Sequence, residues 1–505
     1  MDESDENRGA HSASSSPSYM EDAQDMISLA PTMTEIIQLT REQLTTTSMT
    51  DPIRECGRAA QLLLPANSDM AQELAYQNLH TVPYKDVRTC WRRLYTDATL
   101  WKVIVLAEAQ GSMKELVAPA IKDAWLDEVV KMLDMALILS GAPEREELVE
   151  LWFSALKPVS MNRLALDVAQ QDVQERPSKR RKFSPQDPFT SISSQFEDTL
   201  PGPAPALAYP IPRTHVLSMS AFQTKLSDTS MHTPVIIEGA LQHWPALDER
   251  PWNSPSYLLD QTLGGRRLVP VEIGRSYTDE GWGQKIISFK DFMSQYMLTS
   301  PTPNTAAPQK GYLAQHDLFA QIPSLRADIS IPDYCYCSPA PSPHLTHIKS
   351  VAELEEPLLN AWFGPAGTVS PLHTDPYHNI LAQVVGYKYV RLYAPSETSR
   401  LYPRDVDENG IDMSNTSQVD LDEAMRAYGE VPWWEEQGKG LSEVERGTEE
   451  VQESREEFKR SFPNFWDAPY VEGILGPGEC LYLPVGWWHY VRSLTGSFSV
   501  SFWFN

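Results

Sequence analysis

A Pro- and Ser-rich stretch at residues 169–205 separates two parts of the chain that carry different hydrophobic patterns. Before this break, apolar residues recur at the three- and four-residue steps of amphipathic helices. After it, short apolar or alternating runs are interrupted by Gly and Pro, a pattern typical of β-strands. A chain of 505 residues is also too long for one hydrophobic core. The sequence therefore predicts an all-α domain followed by a largely β domain, an α+β chain overall.

The helical domain is predicted to span residues 31–168, behind a tail at 1–30 that is rich in Ser, Asp and Glu. The tail has too few large apolar residues to offset the entropy of an ordered chain, so we expect it to be disordered. Amphipathic periodicity predicts helices at 34–46, 70–80, 85–107, between Trp125 and Gly141, and after Pro143. We expect a bundle or a short solenoid, whose function no motif indicates.

The β domain is predicted to span residues 206–505. Strands are expected at 234–238, 382–385, 387–393, 479–484 and 497–503. Many short strands with few long helices are typical of a sandwich or barrel of the jelly-roll type. Residues 403–460 interrupt this pattern with 17 acidic and seven basic side chains, which predicts an inserted acidic loop with a helix near 441–460. Such charged runs are usually solvated surfaces unless they border a site.

The formal net charge of −26 argues against a chain that wraps nucleic acid through phosphate contacts. It favours a basic partner, although solubility alone would explain it. The apolar runs are too short to span a bilayer, so no membrane partner is expected. Within the break, Lys179 to Lys182 form a basic cluster that is either a nuclear import signal or a solvated patch. We favour the import signal, which predicts that the protein is located in the nucleus, with the cytoplasm as a second location. We expect the protein to be a monomer.

Three residues of the β domain have the chemical types of a metal site. His373 and Asp375 are two positions apart beside a predicted strand, so their side chains project to the same side of an extended chain. His489 follows another strand and a Pro/Gly turn far along the same domain. Two imidazoles and one carboxylate are the ligand set of non-haem Fe(II) oxygenases. Taken separately, each histidine is more commonly a core or surface residue.

Lys388 lies in the predicted strand 387–393, on the face that carries Val390 and Leu392, whereas Arg391 lies on the opposite face. A lysine buried on an apolar face needs a negative partner. A dicarboxylate cosubstrate inside a barrel would supply that partner. The alternative is an edge lysine whose ammonium group reaches water.

The motifs around these residues resemble those of JmjC-domain oxygenases. They are Leu359-Asn-Ala-Trp-Phe-Gly-Pro365, Ser370-Pro-Leu-His-Thr-Asp-Pro376, Asn379, Gly386-Tyr-Lys-Tyr-Val-Arg-Leu-Tyr393, Pro477-Gly-Glu479 and Trp488-His-Tyr-Val-Arg492. The segments Tyr277–Glu280, Tyr312–His316 and Ser497–Trp503 resemble, more narrowly, the arginyl hydroxylase or lysine-specific demethylase 8 subgroup. The resemblance covers roughly residues 210–505.

The resemblance implies a double-stranded β-helix, the cupin-like JmjC domain, that uses Fe(II), 2-oxoglutarate and O2. It implies that His373, Asp375 and His489 hold the metal and are the catalytic residues, and that Lys388 pairs with the distal carboxylate of 2-oxoglutarate. The further residues implied at the cosubstrate are Tyr277, Ser370, Asn379 and Trp503, and those implied at the substrate cleft are Trp362 and Trp503.

The function that the resemblance implies first is hydroxylation of arginine in a basic nuclear, ribosomal or chromatin protein. Demethylation of N-methyl-lysine in a histone is the alternative, because it uses the same metal and cosubstrate and differs in the C–H bond attacked. A non-catalytic nuclear scaffold is a second alternative, which the presence of all three metal ligands argues against. A peptidase is not favoured, because no H-E-x-x-H motif or Ser-His-Asp spacing is present.

Overall fold

The computed structural model describes residues 30–112, 119–174, 195–196, 199–200, 202, 206–278, 281–298, 309–342, 345, 348–406, 410–428 and 449–505. Residues 1–29 of the predicted tail, most of the predicted break and the basic cluster at 179–182 lie outside the described residues. The chain divides into two compact units between residues 179 and 180. None of the helices in the described ranges combines the length and the apolar character that a membrane crossing needs.

The first unit is helical, as its periodicity predicts. Its helices are α1 (Met33–Thr45), α2 (Arg58–Ala66), α3 (Ser68–Leu79), α4 (Thr89–Ser112), α5 (Pro119–Ser140) and α6 (Glu146–Gln174). Thr32 and Glu35 form a capping box that satisfies free N–H groups at the start of α1. Gly141 follows α5 with a φ of 70°, the left-handed conformation that ends many helices. Helix α6 continues to Gln174, into the first residues of the predicted break.

The second unit contains the predicted β domain. Its strands are β1 (Arg213–His215), β2 (Val235–Glu238), β3 (Leu268–Ile273), β4 (Gly283–Ser288), β5 (Gly311–His316), β6 (Leu358–Gly364), β7 (Val369–His373), β8 (His378–Val385), β9 (Lys388–Tyr393), β10 (Tyr470–Leu475), β11 (Glu479–Leu483), β12 (Trp488–Ser493) and β13 (Ser497–Phe504). Its helices are α7 (Met219–Ser227), α8 (Pro255–Gln261), α9 (Phe289–Phe292), α10 (Leu318–Gln321), α11 (Pro323–Arg326), α12 (Leu421–Ala427) and α13 (Glu449–Ser461).

These strands form two sheets that pack face to face. The larger has the order β1-β2-β11-β8-β13-β6-β5-β3-β4, and the smaller has the order β10-β9-β12-β7. Leu381 and Leu481 of the larger sheet pack against Val390 and Leu392 of the smaller one. Apart from the parallel pair β1 and β2, neighbouring strands are antiparallel. This sandwich confirms the predicted α+β fold and its jelly-roll character.

The turn from β8 to β9 carries the chain from the larger sheet to the smaller one. Gly386 occupies this turn with a φ of 69°. A Cβ atom at this position would collide with the carbonyl oxygen of Gly496 and with the side chain of Thr495. Because only glycine avoids both the collision and the strained φ, Gly386 sets where Lys388 enters the sandwich.

The first part of the acidic insertion is partly buried, whereas its charge predicts a solvated surface; Thr416, Ser417, Val419, Leu421 and Asp422 are buried. It lies along β7, which is the edge strand of the smaller sheet. The Ser417 N–H donates to the Leu372 carbonyl at 2.9 Å, and the Thr374 N–H donates to the Asn415 carbonyl at 2.8 Å. The insertion therefore satisfies backbone groups that an edge strand would otherwise leave unpaired. Among its described residues, the helix predicted near 441–460 begins at Glu449.

Candidate active site

His373, Asp375 and His489 meet at one end of the sandwich. Their ligand atoms all lie within 4.8 Å of one another, and the described part of the chain holds no other group of three His, Cys, Asp or Glu side chains so arranged. His373 on β7 is the cross-strand partner of His489 on β12, so the two imidazoles lie on the same side of the smaller sheet. Asp375 follows β7, with one oxygen 3.9 Å from Nε2 of His373 and the other 3.5 Å from Nε2 of His489.

Backbone carbonyls orient both imidazole rings. Nδ1 of His373 lies 2.7 Å from the Pro371 carbonyl oxygen, and Nδ1 of His489 lies 3.0 Å from the Trp487 carbonyl oxygen. A ring that donates its Nδ1–H to a carbonyl leaves the lone pair of Nε2 free for a metal ion. Burial, together with the nearby His373, lowers the pKa of His489, which favours the neutral form that a metal requires.

Lys388 is buried, and the described residues offer it no negative partner. Its side chain is 1% exposed, and its Nζ lies 3.2 Å from the hydroxyl oxygen of Tyr312. Burial lowers the pKa of Lys388 to about 7, and no carboxylate in the described part of the chain compensates for it. The lysine is on the face of β9 that alternation predicts, in a cavity that His373, Asp375 and His489 also line. An uncompensated ammonium at this place fits an anionic ligand.

The same cavity contains three more of the residues named from the sequence, namely Ser370, Asn379 and Trp362. Oδ1 of Asn379 is buried and has no hydrogen-bond partner among the described residues. Such an unsatisfied polar atom is costly unless a ligand or water bonds to it. The indole N–H of Trp362 instead donates to Oγ of Ser501 at 2.9 Å, so this ring is part of the wall.

Tyr277 and Trp503 do not line this cavity. The hydroxyl of Tyr277 lies 3.3 Å from Oγ1 of Thr416 in the insertion, and burial raises the pKa of Tyr277 to about 12. Trp503 stacks on Tyr377 at a ring-centroid distance of 5.5 Å. The structure thus brings the predicted metal ligands together with Ser370, Asn379, Lys388 and Trp362, and leaves these two aromatic residues outside that group.

Tyr312 is a site residue that the sequence analysis did not assign. It lines the cavity from β5, and its hydroxyl contacts Lys388. Burial raises its pKa, so the phenol stays protonated and can donate a hydrogen bond. The segment Tyr312–His316 was a signal for it, because this segment belongs to the motifs that resemble the JmjC subgroup.

A family model described as a Cupin-like domain matches residues 222–505. Lysine-specific demethylase 8 from Danio rerio is 34% identical over 447 residues, which cover 87% of this chain and 88% of that protein. The chain belongs to the Cupin-like domain family. Within it, the chain is a JmjC oxygenase of the lysine-specific demethylase 8 subgroup, and hence a 2-oxoglutarate-dependent dioxygenase.

Two further relatives show how wide this similarity is. Lysine-specific demethylase 8 from Xenopus tropicalis is 33% identical over 471 residues, which cover 90% of this chain and 89% of that protein. The human bifunctional peptidase and (3S)-lysyl hydroxylase JMJD7 is 25% identical over 276 residues, which cover 54% of this chain and 77% of that protein. JmjC oxygenases generally depend on Fe(II) and 2-oxoglutarate, and the His-Asp-His group of this chain fits an iron ion.

Proposed function

We propose that this protein uses Fe(II), 2-oxoglutarate and O2 to hydroxylate an arginine side chain of a basic protein. The observation that carries the proposal is one cavity lined both by a His-Asp-His group and by a buried lysine that has no counter-charge among the described residues. His373, Asp375 and His489 would hold the iron. Together with the cosubstrate and O2, the iron supplies the oxidising power that cleaves an unactivated C–H bond.

The other cavity residues would bind and orient the cosubstrate. Lys388 pairs with its distal carboxylate, and the hydroxyls of Tyr312 and Ser370 and the amide of Asn379 are within the same cavity to bond its oxygens. Most of the remaining wall is apolar and consists of Leu381, Leu392, Leu481, Leu483 and Val491, and Trp362 and Ser501 complete it. An apolar wall excludes water, which strengthens the ion pair and protects the reacting groups.

Binding of 2-oxoglutarate at pH 8 is expected to take up about one proton. In the free protein the pKa of Lys388 is lowered to about 7, so its amine is mostly neutral at that pH. A carboxylate beside it stabilises the ammonium and raises the pKa towards its ordinary value of about 10.4, and the group binds a proton. The affinity for 2-oxoglutarate therefore falls as pH rises above 7.

The measurement is titration calorimetry of the Mn(II)-loaded protein in two buffers that differ in ionisation enthalpy. Preloading the metal keeps the protonation of its ligands constant. A binding heat that depends on the buffer is expected for the unaltered protein and not for Lys388→Ala. A buffer-independent heat for the unaltered protein contradicts the pairing of Lys388 with the cosubstrate.

Glu272 supports a cationic substrate. It lies on β3 as the cross-strand partner of Tyr312, and its charge is close enough to Tyr277 and Tyr312 to raise both pKa values. Burial raises the pKa of Glu272, and its donor among the described residues is the indole N–H of Trp282 at 3.3 Å. A carboxylate whose oxygens still have free lone pairs can accept hydrogen bonds from the two parallel N–H groups of a guanidinium. A methylated ammonium has no such pair of N–H groups.

Glu272→Gln is expected to raise the KM for an arginine peptide by about 10- to 100-fold, the loss of roughly 1.5–3 kcal/mol for a charged hydrogen bond. The KM for 2-oxoglutarate should stay unchanged. The measurement is succinate formation at varied peptide concentration. Glu353→Gln, the same change at an exposed glutamate, serves as the control. Equal peptide KM values for the two variants would remove Glu272 from the substrate site.

Demethylation of methyl-lysine is the second candidate, since the Danio and Xenopus relatives are named lysine-specific demethylases. Mass spectrometry of matched arginine and methyl-lysine peptides after incubation with Fe(II) and 2-oxoglutarate separates the two. Our proposal expects the mass of one oxygen atom added on arginine. Loss of a methyl group with release of formaldehyde would establish demethylation instead.

We also propose that the protein acts in the nucleus. The basic cluster at Lys179 to Lys182 supports this location, because it has the composition of an import signal within an acidic chain. The net charge of −26 supports a basic protein as the substrate, since opposite charges favour their encounter.

A further inference from the structure

We propose that the first part of the acidic insertion braces the metal site, and that Asp422 is the positioning residue through which it holds strand β12. This inference rests on the proposed function, since it concerns the same His-Asp-His group. The brace is formed by residues 403–406 and 410–428. It has two attachments, one to each strand that carries a metal-binding histidine.

The attachment to β12 is made by the carboxylate of Asp422, which is 1% exposed. Its Oδ1 accepts a hydrogen bond from the Tyr490 hydroxyl at 2.6 Å, and its Oδ2 accepts one from Nη1 of Arg492 at 2.8 Å. Tyr490 directly follows His489 in the chain. Because side chains alternate along a strand, Asp422 holds the back of β12 while His489 and Val491 face the cavity.

The attachment to β7 is made by the backbone. The hydrogen bonds from Ser417 to Leu372 and from Thr374 to Asn415 lie on either side of His373. The amide of Asn415 adds a hydrogen bond to the Thr374 carbonyl at 3.3 Å. His373 therefore sits on an edge strand whose outer side is paired by the insertion.

The sheet alone does not fix the spacing of the two strands beside the metal. The pairing of β12 with β7 is in register at His489 and His373 and then shifts before Val491. An irregular ladder is locally weaker, so its geometry depends on what packs around it. The insertion supplies that support from outside the sheet.

A third contact extends the brace to the loop after β3. Arg275 donates to Oδ2 of Asp422 at 3.2 Å and also bonds to Asp420. The carboxylate of Asp422 thus has three donors, which compensates for burying its charge. The same loop carries Tyr277, which contacts Thr416 of the insertion. One buried carboxylate therefore connects the loop, the insertion and the strand of His489.

The test is Mn(II) binding by the apo protein, measured by electron paramagnetic resonance for Asp422→Asn and Tyr490→Phe. Both variants keep the shape of the side chain and weaken the attachment to β12. We expect about tenfold weaker Mn(II) binding, the lower end of the effect of residues that orient metal ligands. The KM for 2-oxoglutarate at saturating metal should not change, because Lys388 lies on a different strand.

Asp412→Asn is the matched control. It makes the same chemical change in the same insertion, where Asp412 contacts Ser414 and Lys349 rather than β12. It should bind Mn(II) like the unaltered protein. If Asp422→Asn fails to fold, the Mn(II) affinity of Tyr490→Phe alone tests the brace.

The Mn(II) measurements distinguish failure of the brace from failure of the proposed function. If His373→Ala loses Mn(II) binding while the folded Asp422→Asn and Tyr490→Phe variants keep the affinity of the unaltered protein, the brace is overturned and the proposed function stands. If His373→Ala keeps its Mn(II) affinity, the proposed function itself is overturned. A purely structural role would lower the thermal stability of the two brace variants without changing the Mn(II) affinity of their folded fraction, and it too would overturn the inference.

Discussion

Replacing His373 or His489 with alanine is expected to abolish the formation of succinate from 2-oxoglutarate and to leave the protein folded. Each variant removes one of three protein ligands, and the described chain offers no substitute group within reach. The structural cost is small, since each ring makes one described hydrogen bond, to a backbone carbonyl two residues away. The measurements are succinate by mass spectrometry and folding by circular dichroism.

His243→Ala is the control for this experiment, because it removes an exposed histidine that bonds to Ser330. It should keep full turnover. Full turnover by a folded His373→Ala or His489→Ala protein would refute the assignment of the metal site.

The second large effect is expected for Lys388→Ala, which raises the KM for 2-oxoglutarate by roughly 10²- to 10³-fold. The variant leaves the distal carboxylate in an apolar cavity without its counter-charge, and breaking a buried pair costs about 3–5 kcal/mol. Affinity for Mn(II) should change little. Lys388→Arg should restore only part of the binding, because a planar guanidinium must fit a space shaped for an ammonium group.

Arg391→Gln tests the facing of the same strand. Arg391 lies on the opposite face of β9, where it bonds to the Tyr389 hydroxyl and pairs with Glu472 at 3.4 Å. Its loss should lower the free energy of unfolding, because Glu472 is buried, and leave the KM for 2-oxoglutarate unchanged. The reverse pattern, with normal binding by Lys388→Ala and lost binding by Arg391→Gln, would mean that the cosubstrate lies on the other side of β9.

Local pattern was sufficient to predict the main helices of the first unit, the strands β2, β8, β9, β11 and β13, and the direction of Lys388. Alternation has a period of two along any strand, so the face of β9 that enters the cavity follows from the sequence alone. The proposed metal ligands followed from residue type, spacing and family resemblance. These features depend on neighbours in the chain or on motifs that are contiguous.

In contrast, the order of the strands in the two sheets could not be predicted from the sequence. Tyr277 was one of the residues expected at the cosubstrate and Tyr312 was not, although the pairing of β5 with β6 and β3 brings Tyr312 into contact with Lys388. The packing of the insertion could not be predicted either, because it depends on contacts between residues that are far apart in the sequence. The partners of Asp422 on the loop after β3 and on β12 are 147 and 70 residues away in sequence, and a count of charges carries no such information.

The position of β13 in the larger sheet affects how the chain folds during its synthesis. β13 lies between β8 and β6, yet about 110 residues separate its start from the end of β8. A ribosome that adds about 5–20 residues per second leaves these two strands without their shared neighbour for roughly 5–20 seconds. During that interval two unpaired edges of a growing chain are open to wrong partners, so nascent-chain chaperones have a defined window in which to act.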